Sequence, residues 1–249
     1  MTETMYGKYR ERGSLQWREM ITRGIRRFNA FQQGRYDLII KYLGDVRGKK
    51  VLDLGGGDAA LAYCLYTKGA RVTVIDNEPL GIEFGEKNFA SKGAEAEFVL
   101  GSAYELPFAD NSFDHIVCSE VIEHLEHPER AIREASRVLK RGGMCIVTTP
   151  YRLLETPTDS DDLRAYFPSE LGSLLKPYFK TVTVMSTHHI FWFGLYTYAL
   201  RRFRNRQFGR WFINALALWF RFNPFTIEYP HPTKFDRFTQ LIAIGRKDA

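Results

Sequence analysis

The sequence predicts an α/β fold, a doubly wound sheet with helices on both faces, preceded by a helical cap and interrupted near its end by an aromatic insertion. Three observations carry that expectation. From Val51 onward, short apolar runs of strand length alternate with amphipathic runs of helix length, the pattern of a parallel sheet buried on both sides. A glycine turn, VLDLGGGDA, joins the first strand run to the first helix run. Near the C-terminus, residues 190–227 break this alternation with two aromatic runs around an arginine cluster.

Taken in order, residues 1–45 read as a helical cap, with Leu15, Ile21, Ile25, Phe28 and Phe31 at mixed three- and four-residue spacings. Strands are expected at 51–55, 71–76, 96–102, 113–120 and 144–150, with helices at about 59–69, 79–92 and 128–140. Gly142-Gly143 is read as the stop of the third of these helices. A polar loop, a helix opened by Pro168-Ser169-Glu170 and a strand at 180–187 follow, and the last strand is 238–247. The divisions are a cap at 1–45, a core at 46–189, an insertion at 190–235 and a final core strand at 236–249.

A chain of 249 residues can bury a full core. Cys64, Cys118 and Cys145 lie far apart in apolar patterns, which favours buried thiols over disulfides or zinc and points to a reducing, cytoplasmic compartment. No run approaches the roughly 20 apolar residues of a spanning helix, and the charged N-terminus does not read as a secretory leader. The net charge of +6 is uneven: residues 1–50 hold twelve Lys/Arg against five Asp/Glu, and residues 190–227 hold six Arg and no acid. A net acidic core is therefore flanked by two basic segments.

Gly55 and Gly57 let the backbone of the turn approach a ligand, and Asp76 ends the second strand where a carboxylate can accept ribose hydroxyls. Gly55-x-Gly57-x-x-Ala60 also fits a dinucleotide fingerprint, the mark of an NAD-dependent oxidoreductase. Charge separates the two readings. Asp53 and Asp58 bracket the turn and would repel a pyrophosphate, whereas they favour the sulfonium and ammonium of S-adenosylmethionine.

With those motifs in hand, residues 51–150 resemble the class I S-adenosylmethionine-dependent methyltransferases of the ubiquinone/menaquinone-biosynthesis type. VLDLGGGDA resembles their first motif, VTVIDNEP their second, and GSAYELPFADNSFDHIVCSEVIEHLEHPERAIREASRVLKRGGMCIVTTP the second half of their cofactor domain. The resemblance implies a Rossmann-like sheet of seven strands with the last antiparallel. It also implies S-adenosylmethionine held by Asp53, Gly55 and Gly57 at the methionine part, Asp76 at the ribose and Asn77 at the adenine. Ala103 would meet the adenine edge, and the Cys118–Glu120 backbone would flank the amino acid. Ser102 stands where these proteins often carry an aspartate, and Ala59 where a third glycine is common.

Methyl transfer needs a base only when the acceptor arrives protonated. In SEVIEHLEH, after the fourth strand, Glu120, Glu123 and His124 have the i, i+3, i+4 spacing of one helical face. They are candidates for a general base, with His124 and Glu123 foremost, or for an oxygen/nitrogen site for a divalent metal. Similar clusters bind metal in some quinone O-methyltransferases and small-RNA 2′-O-methyltransferases, where a histidine after the fifth strand completes the set; Asp162 aligns with it here. A capping role in a metal-free protein is the competing reading. His127 reads as a loop residue and His188-His189 as a polar strand end.

Residues 190–227 hold thirteen of the 36 aromatics, so this segment is where acceptor identity is expected to lie. Three readings stay open: a lid over an apolar pocket, a contact with an anionic membrane surface on the inner face, and a dimer interface or core extension. Phe31, Tyr36, Trp192, Phe193 and Tyr196 are the candidate pocket residues. The expected activity is methyl transfer to oxygen of a hydrophobic small molecule, a quinone precursor or lipid-like acceptor. An RNA acceptor fits less well, because the aromatics come in blocks with Leu, Ile and Ala. A cofactor-binding regulatory protein without transfer activity is the remaining alternative.

Overall fold

A computed structural model describes residues 8–22, 24–153, 161–198, 208–229 and 237–248. The sheet has seven strands: β1 (Lys50–Leu54), β2 (Arg71–Asp76), β3 (Glu97–Leu100), β4 (Phe113–Ser119), β5 (Leu139–Pro150), β6 (Thr181–His189) and β7 (Phe238–Arg246). Their order is β3-β2-β1-β4-β5-β7-β6; the first five run parallel and β7 lies antiparallel to both β5 and β6. The order reverses between β1 and β4, so the carboxyl ends of those two strands border the crevice where ligands bind in such sheets.

Helices α1 (Lys8–Arg12), α2 (Leu15–Ile21) and α3 (Ala30–Leu43) form the cap, and α4 (Ala60–Tyr66), α5 (Pro79–Ala90), α6 (Pro128–Val138) and α7 (Pro168–Leu175) follow the strands. The sheet is covered on both faces. One core gathers Leu38, Ile39, Leu65, Val74 and Phe89 with the α3–α5 side. The other gathers Leu52, Ile116, Ile132, Leu139 and Leu171 with α6 and α7. The two glycines expected to end a helix are placed differently. Helix α6 stops at Val138 and β5 starts at once at Leu139. The ladder pairs Phe113 with Leu139 and then His115 with Met144, so residues 140–143 bulge out opposite Asp114. Gly142 takes φ +73° in that bulge, a conformation with little cost only for glycine.

The insertion comprises α8 (Ile190–Tyr198), α9 (Phe208–Trp219) and a 3₁₀ turn at Pro224–Thr226. The arginines at 201–206 lie outside the described residues. Helices α8 and α9 pack on each other and on the cap, through Phe28, Ala30, Ile213 and Phe225 with Phe31, Phe193 and Tyr196 around them, and α8 also meets β6 and β7. Asparagines close this joint. The fully buried Asn214 accepts from Ala30 N at 3.2 Å and donates to Ile25 O and Phe28 O, while Asn223 donates to Ala30 O. Replacing Asn214 by Leu leaves three backbone groups, two of them buried, without this partner. We expect a loss of about 1–3 kcal/mol or more, read as a lower urea midpoint with an unchanged sheet signature by circular dichroism.

Candidate active site

The turn after β1 builds the first half of the site. Asp53, near the end of β1, is buried, and its Oδ2 has no hydrogen-bond partner. Burial first, then the negative charges of Asp76 and Asp58, push its carboxyl up to about 7, against a backbone N–H bond from Ala62. A positive charge brought to that oxygen would favour the ionised form. Gly55 and Gly57 have φ of +73° and +52°. A side chain on Gly57 would collide with the Tyr9 hydroxyl, because α1 lays that ring over Gly57 and Gly81. Asp76 accepts from Gly57 N at 2.8 Å and from Glu78 N at 2.9 Å, which fixes its carboxylate at the tip of β2. Asn77 follows it, exposed.

Asp58 does not face the turn as its sequence position led us to expect. Its Oδ2 accepts from Trp17 N at 2.9 Å and from Ser14 Oγ at 3.2 Å, so it anchors the start of α2. Ala59, in the place of a third glycine, adopts φ +62° and starts α4 from a left-handed residue. Ser102 accepts from Tyr104 N at 3.2 Å, and its hydroxyl orders the loop that carries Ala103.

The second half of the site follows β4. The spacing of Glu120, Glu123 and His124 predicts one helical face, but only Ile122–His124 forms a turn, of 3₁₀ type, and Glu120 precedes it with φ +58°. That left-handed residue swings Glu120 away from the other two. Its Oε2 meets Arg35 Nη1 at 2.8 Å and Gln240 Nε2 at 3.1 Å, and its Oε1 accepts from Thr148 Oγ1 at 3.1 Å. Its side chain is thus committed to the cap and β7, which removes it from the expected four-ligand set.

Glu123, His124 and Asp162 do converge: one ligand atom from each lies within 4.8 Å of the others. Glu123 is buried, and its Oε2 accepts from Thr149 Oγ1 at 3.1 Å. Burial, then the charges of Glu120 and Asp162, push its carboxyl well above the usual range. His124 Nδ1 lies 3.2 Å from Asp162 Oδ1 and 3.1 Å from Asp161 O. Two acceptors at Nδ1 favour the Nδ1–H tautomer and leave Nε2 unprotonated, the state a general base requires.

The candidate pocket residues fall elsewhere. Tyr36 lies in the main core, its hydroxyl accepting from Gln32 Nε2 at 3.0 Å; burial raises its pKa, as do the nearby charges of Asp58 and Asp53. Phe31, Phe193 and Tyr196 ring Phe225 in the cap–insertion joint, and Trp192 packs beside them. They are packing residues of that joint, because the insertion closes on the cap and not on the turn after β1. His188 is buried rather than a polar strand end. It bonds Phe31 O at 3.0 Å, stacks on Phe225, and burial holds its pKa down to about 3. Tyr9, Arg35 and Gln240 were not singled out from sequence, since no motif or periodicity marks them.

The comparisons with known proteins meet this geometry. Residues 52–147 match the methyltransferase domain family. The match spans β1 to β5 and supports the resemblance of this core to the class I S-adenosylmethionine-dependent methyltransferases. A ubiquinone biosynthesis O-methyltransferase of Chromobacterium violaceum is 29% identical over 162 residues, covering 57% of this chain and 68% of that one. A ubiquinone/menaquinone biosynthesis C-methyltransferase of Rhizobium meliloti is 38% identical over 103 residues, covering 39% and 40%. The Haemonchus contortus phosphoethanolamine N-methyltransferase 2, solved with S-adenosyl-L-methionine, shares the fold at a TM-score of 0.68 with 16% identity, over 100% of this chain and 61% of that one. For a methyltransferase of this class the cofactor is S-adenosylmethionine, and the residues fit it: Asp53 offers an unpaired buried carboxylate oxygen and Asp76 a fixed acceptor.

The sign of the Asp53 shift gives a pH test. A folded-state value of about 7 lies above the ordinary carboxylate value, so the unliganded fold holds the proton more tightly than the unfolded chain does. Stability then falls as pH rises from about 4 to about 7. A bound cation reverses the preference. Affinity for S-adenosylmethionine is expected to drop by up to about tenfold per pH unit below about 7, measured by calorimetry. Asp53→Asn should weaken binding and flatten that dependence; an unchanged slope in the variant would refute the assignment.

Proposed function

We propose that the protein transfers the methyl group of S-adenosylmethionine to a hydroxyl oxygen of a hydrophobic small molecule, a quinone precursor or lipid-like acceptor. The observation that carries this reading is the His124–Asp162 pair at the carboxyl end of β4. The acceptor hydroxyl gives its proton to His124 Nε2, and the oxygen lone pair forms the new O–CH₃ bond. The S–CH₃ bonding pair leaves with sulfur, giving S-adenosylhomocysteine. Asp162 holds the imidazole and stabilises its charged form. The protein's other task is alignment and exclusion of water, which the cap performs from above the strand ends.

His124→Gln and Asp162→Asn should each lower kcat, the first by about 100-fold or more, with the affinity for S-adenosylmethionine unchanged. Loss of cofactor binding in both variants would instead mark the pair as structural. A divalent cation is the second reading, favoured by the convergence of three donors. Glu123, His124 and Asp162 would hold it, and it would supply Lewis-acid activation of the hydroxyl. Full activity after chelation excludes it.

The hydrophobic acceptor is supported by the outer face of the insertion. Phe208, Phe212 and Trp219 line one side of α9, and Phe220 and Phe222 continue it; Trp219 and Phe220 are each 71% exposed. No described helix is long and apolar enough to cross a membrane. Aromatics in a segment with six arginines and no acid suit an anionic bilayer surface. Trp219→Ser/Phe220→Ser should reduce flotation with phosphatidylglycerol vesicles while leaving the melting temperature in place. Equal flotation of the two proteins removes the membrane contact.

A further inference from the structure

A cleft opens at the amino ends of β1, β2, β3 and β4, the opposite end of the sheet from the turn after β1. Its volume is about 650 Å³, in the range of small-molecule sites. The fold leaves it uncovered for a topological reason. The crossover from β3 to β4, residues 101–112, forms no helix, and the helices of that face, α6 and α7, pack on β5, β6 and β7. Side-chain alternation puts Lys50 with Leu52, Arg71 with Ile75 and Glu97 with Val99 on this same face.

The groups lining the cleft follow the strand order. Lys50 and Arg71 open β1 and β2 in register, so their backbones lie about 5 Å apart. Both are exposed, and among the described residues neither forms an ion pair. Asp114, on the neighbouring β4, is taken by Lys140 Nζ at 2.8 Å and by the backbone N–H of Lys50 at 2.8 Å. One strand beyond Arg71, Glu97 opens β3. Its Oε2 accepts from Thr73 Oγ1 at 2.9 Å, which holds the carboxylate against β2, two residues from Arg71. On the other side of Lys50, Phe108 and Phe113 line the cleft edge to face, with ring centroids 5.0 Å apart.

That order, rings then cations then acid, selects the ligand. Like charges side by side on paired strands repel, and a carboxylate bridging them answers both with charge-assisted hydrogen bonds. A simple anion would meet Glu97, and a simple cation would meet Lys50 and Arg71; a zwitterion satisfies both signs. The phenylalanine pair offers a wall for a ring. We propose that this cleft is a second binding site, for a zwitterion carrying an aromatic ring, of the class of the aromatic α-amino acids. The ligand carboxylate pairs with Lys50 and Arg71, its ammonium pairs with Glu97, and its ring packs against Phe108 and Phe113. The site lies the length of β1, about 17 Å, from the turn after that strand, and stands independently of the methyl-transfer reading.

The test uses calorimetry on the full chain, with and without excess S-adenosylhomocysteine, and probes that differ in charge: L-phenylalanine, 3-phenylpropionate and phenethylamine. L-Phenylalanine should bind, and each probe that lacks one charge should bind about tenfold or more weakly. Excess S-adenosylhomocysteine should leave these affinities unchanged. Arg71→Gln should weaken L-phenylalanine and 3-phenylpropionate about tenfold. Glu97→Gln, which keeps an oxygen for Thr73, should bring those two probes to equal affinity. Both variants should melt at the wild-type temperature; if Glu97→Gln does not fold, Arg71→Gln still decides. No binding of L-phenylalanine, equal binding of all the probes or displacement by S-adenosylhomocysteine overturns the site. So does a wild-type preference for L-phenylalanine retained in Glu97→Gln, or unchanged affinity in Arg71→Gln.

Discussion

The structure is organised around an excess of carboxylates at one end of a parallel sheet. Asp53, Asp58, Asp76, Glu120 and Glu123 all sit at or just beyond the carboxyl ends of β1, β2 and β4, most of them buried. Buried acids crowded together cannot all ionise unless each finds a donor or a cation. How each one is answered defines both the architecture and the site.

Two of them hold the cap. Asp58 receives the start of α2 through Trp17 N and Ser14, and Glu120 receives α3 through Arg35. The basic N-terminal segment is thereby drawn over the acidic crevice, which carries Tyr9 to the turn after β1. Asp76 is held by backbone N–H groups and Glu123 by a threonine, with its carboxyl biased toward the neutral form. Asp53 keeps an unpaired oxygen at the turn after β1.

The insertion is joined to the cap and to the β6–β7 edge of the sheet. Asn214 and Asn223 bind the backbone at the start of α3, and Phe31 passes that contact to His188 at the end of β6.

The alternation of strand and helix, the glycine turn, Asp53 and Asp76 were legible in the sequence because they depend on local spacing: a period of two, a period near four, a turn that needs positive φ. His124 and Asp162 were legible through a family pattern, and the fold brings them together. Local reasoning failed where one backbone torsion redirects a side chain. Glu120 at φ +58° leaves the face its spacing assigns, and Gly142 opens a bulge instead of ending a helix. It also failed where partners are distant: Asp58 with Trp17, Arg35 with Glu120, and Phe193 with Phe31 are separated by tens to more than a hundred residues. The sequence by itself determined the layered sheet and its glycine turn, since both follow from periodicity and from residues that tolerate positive φ. Only the tertiary structure decided which acid is tied and which is left open, because that depends on donors arriving from remote helices.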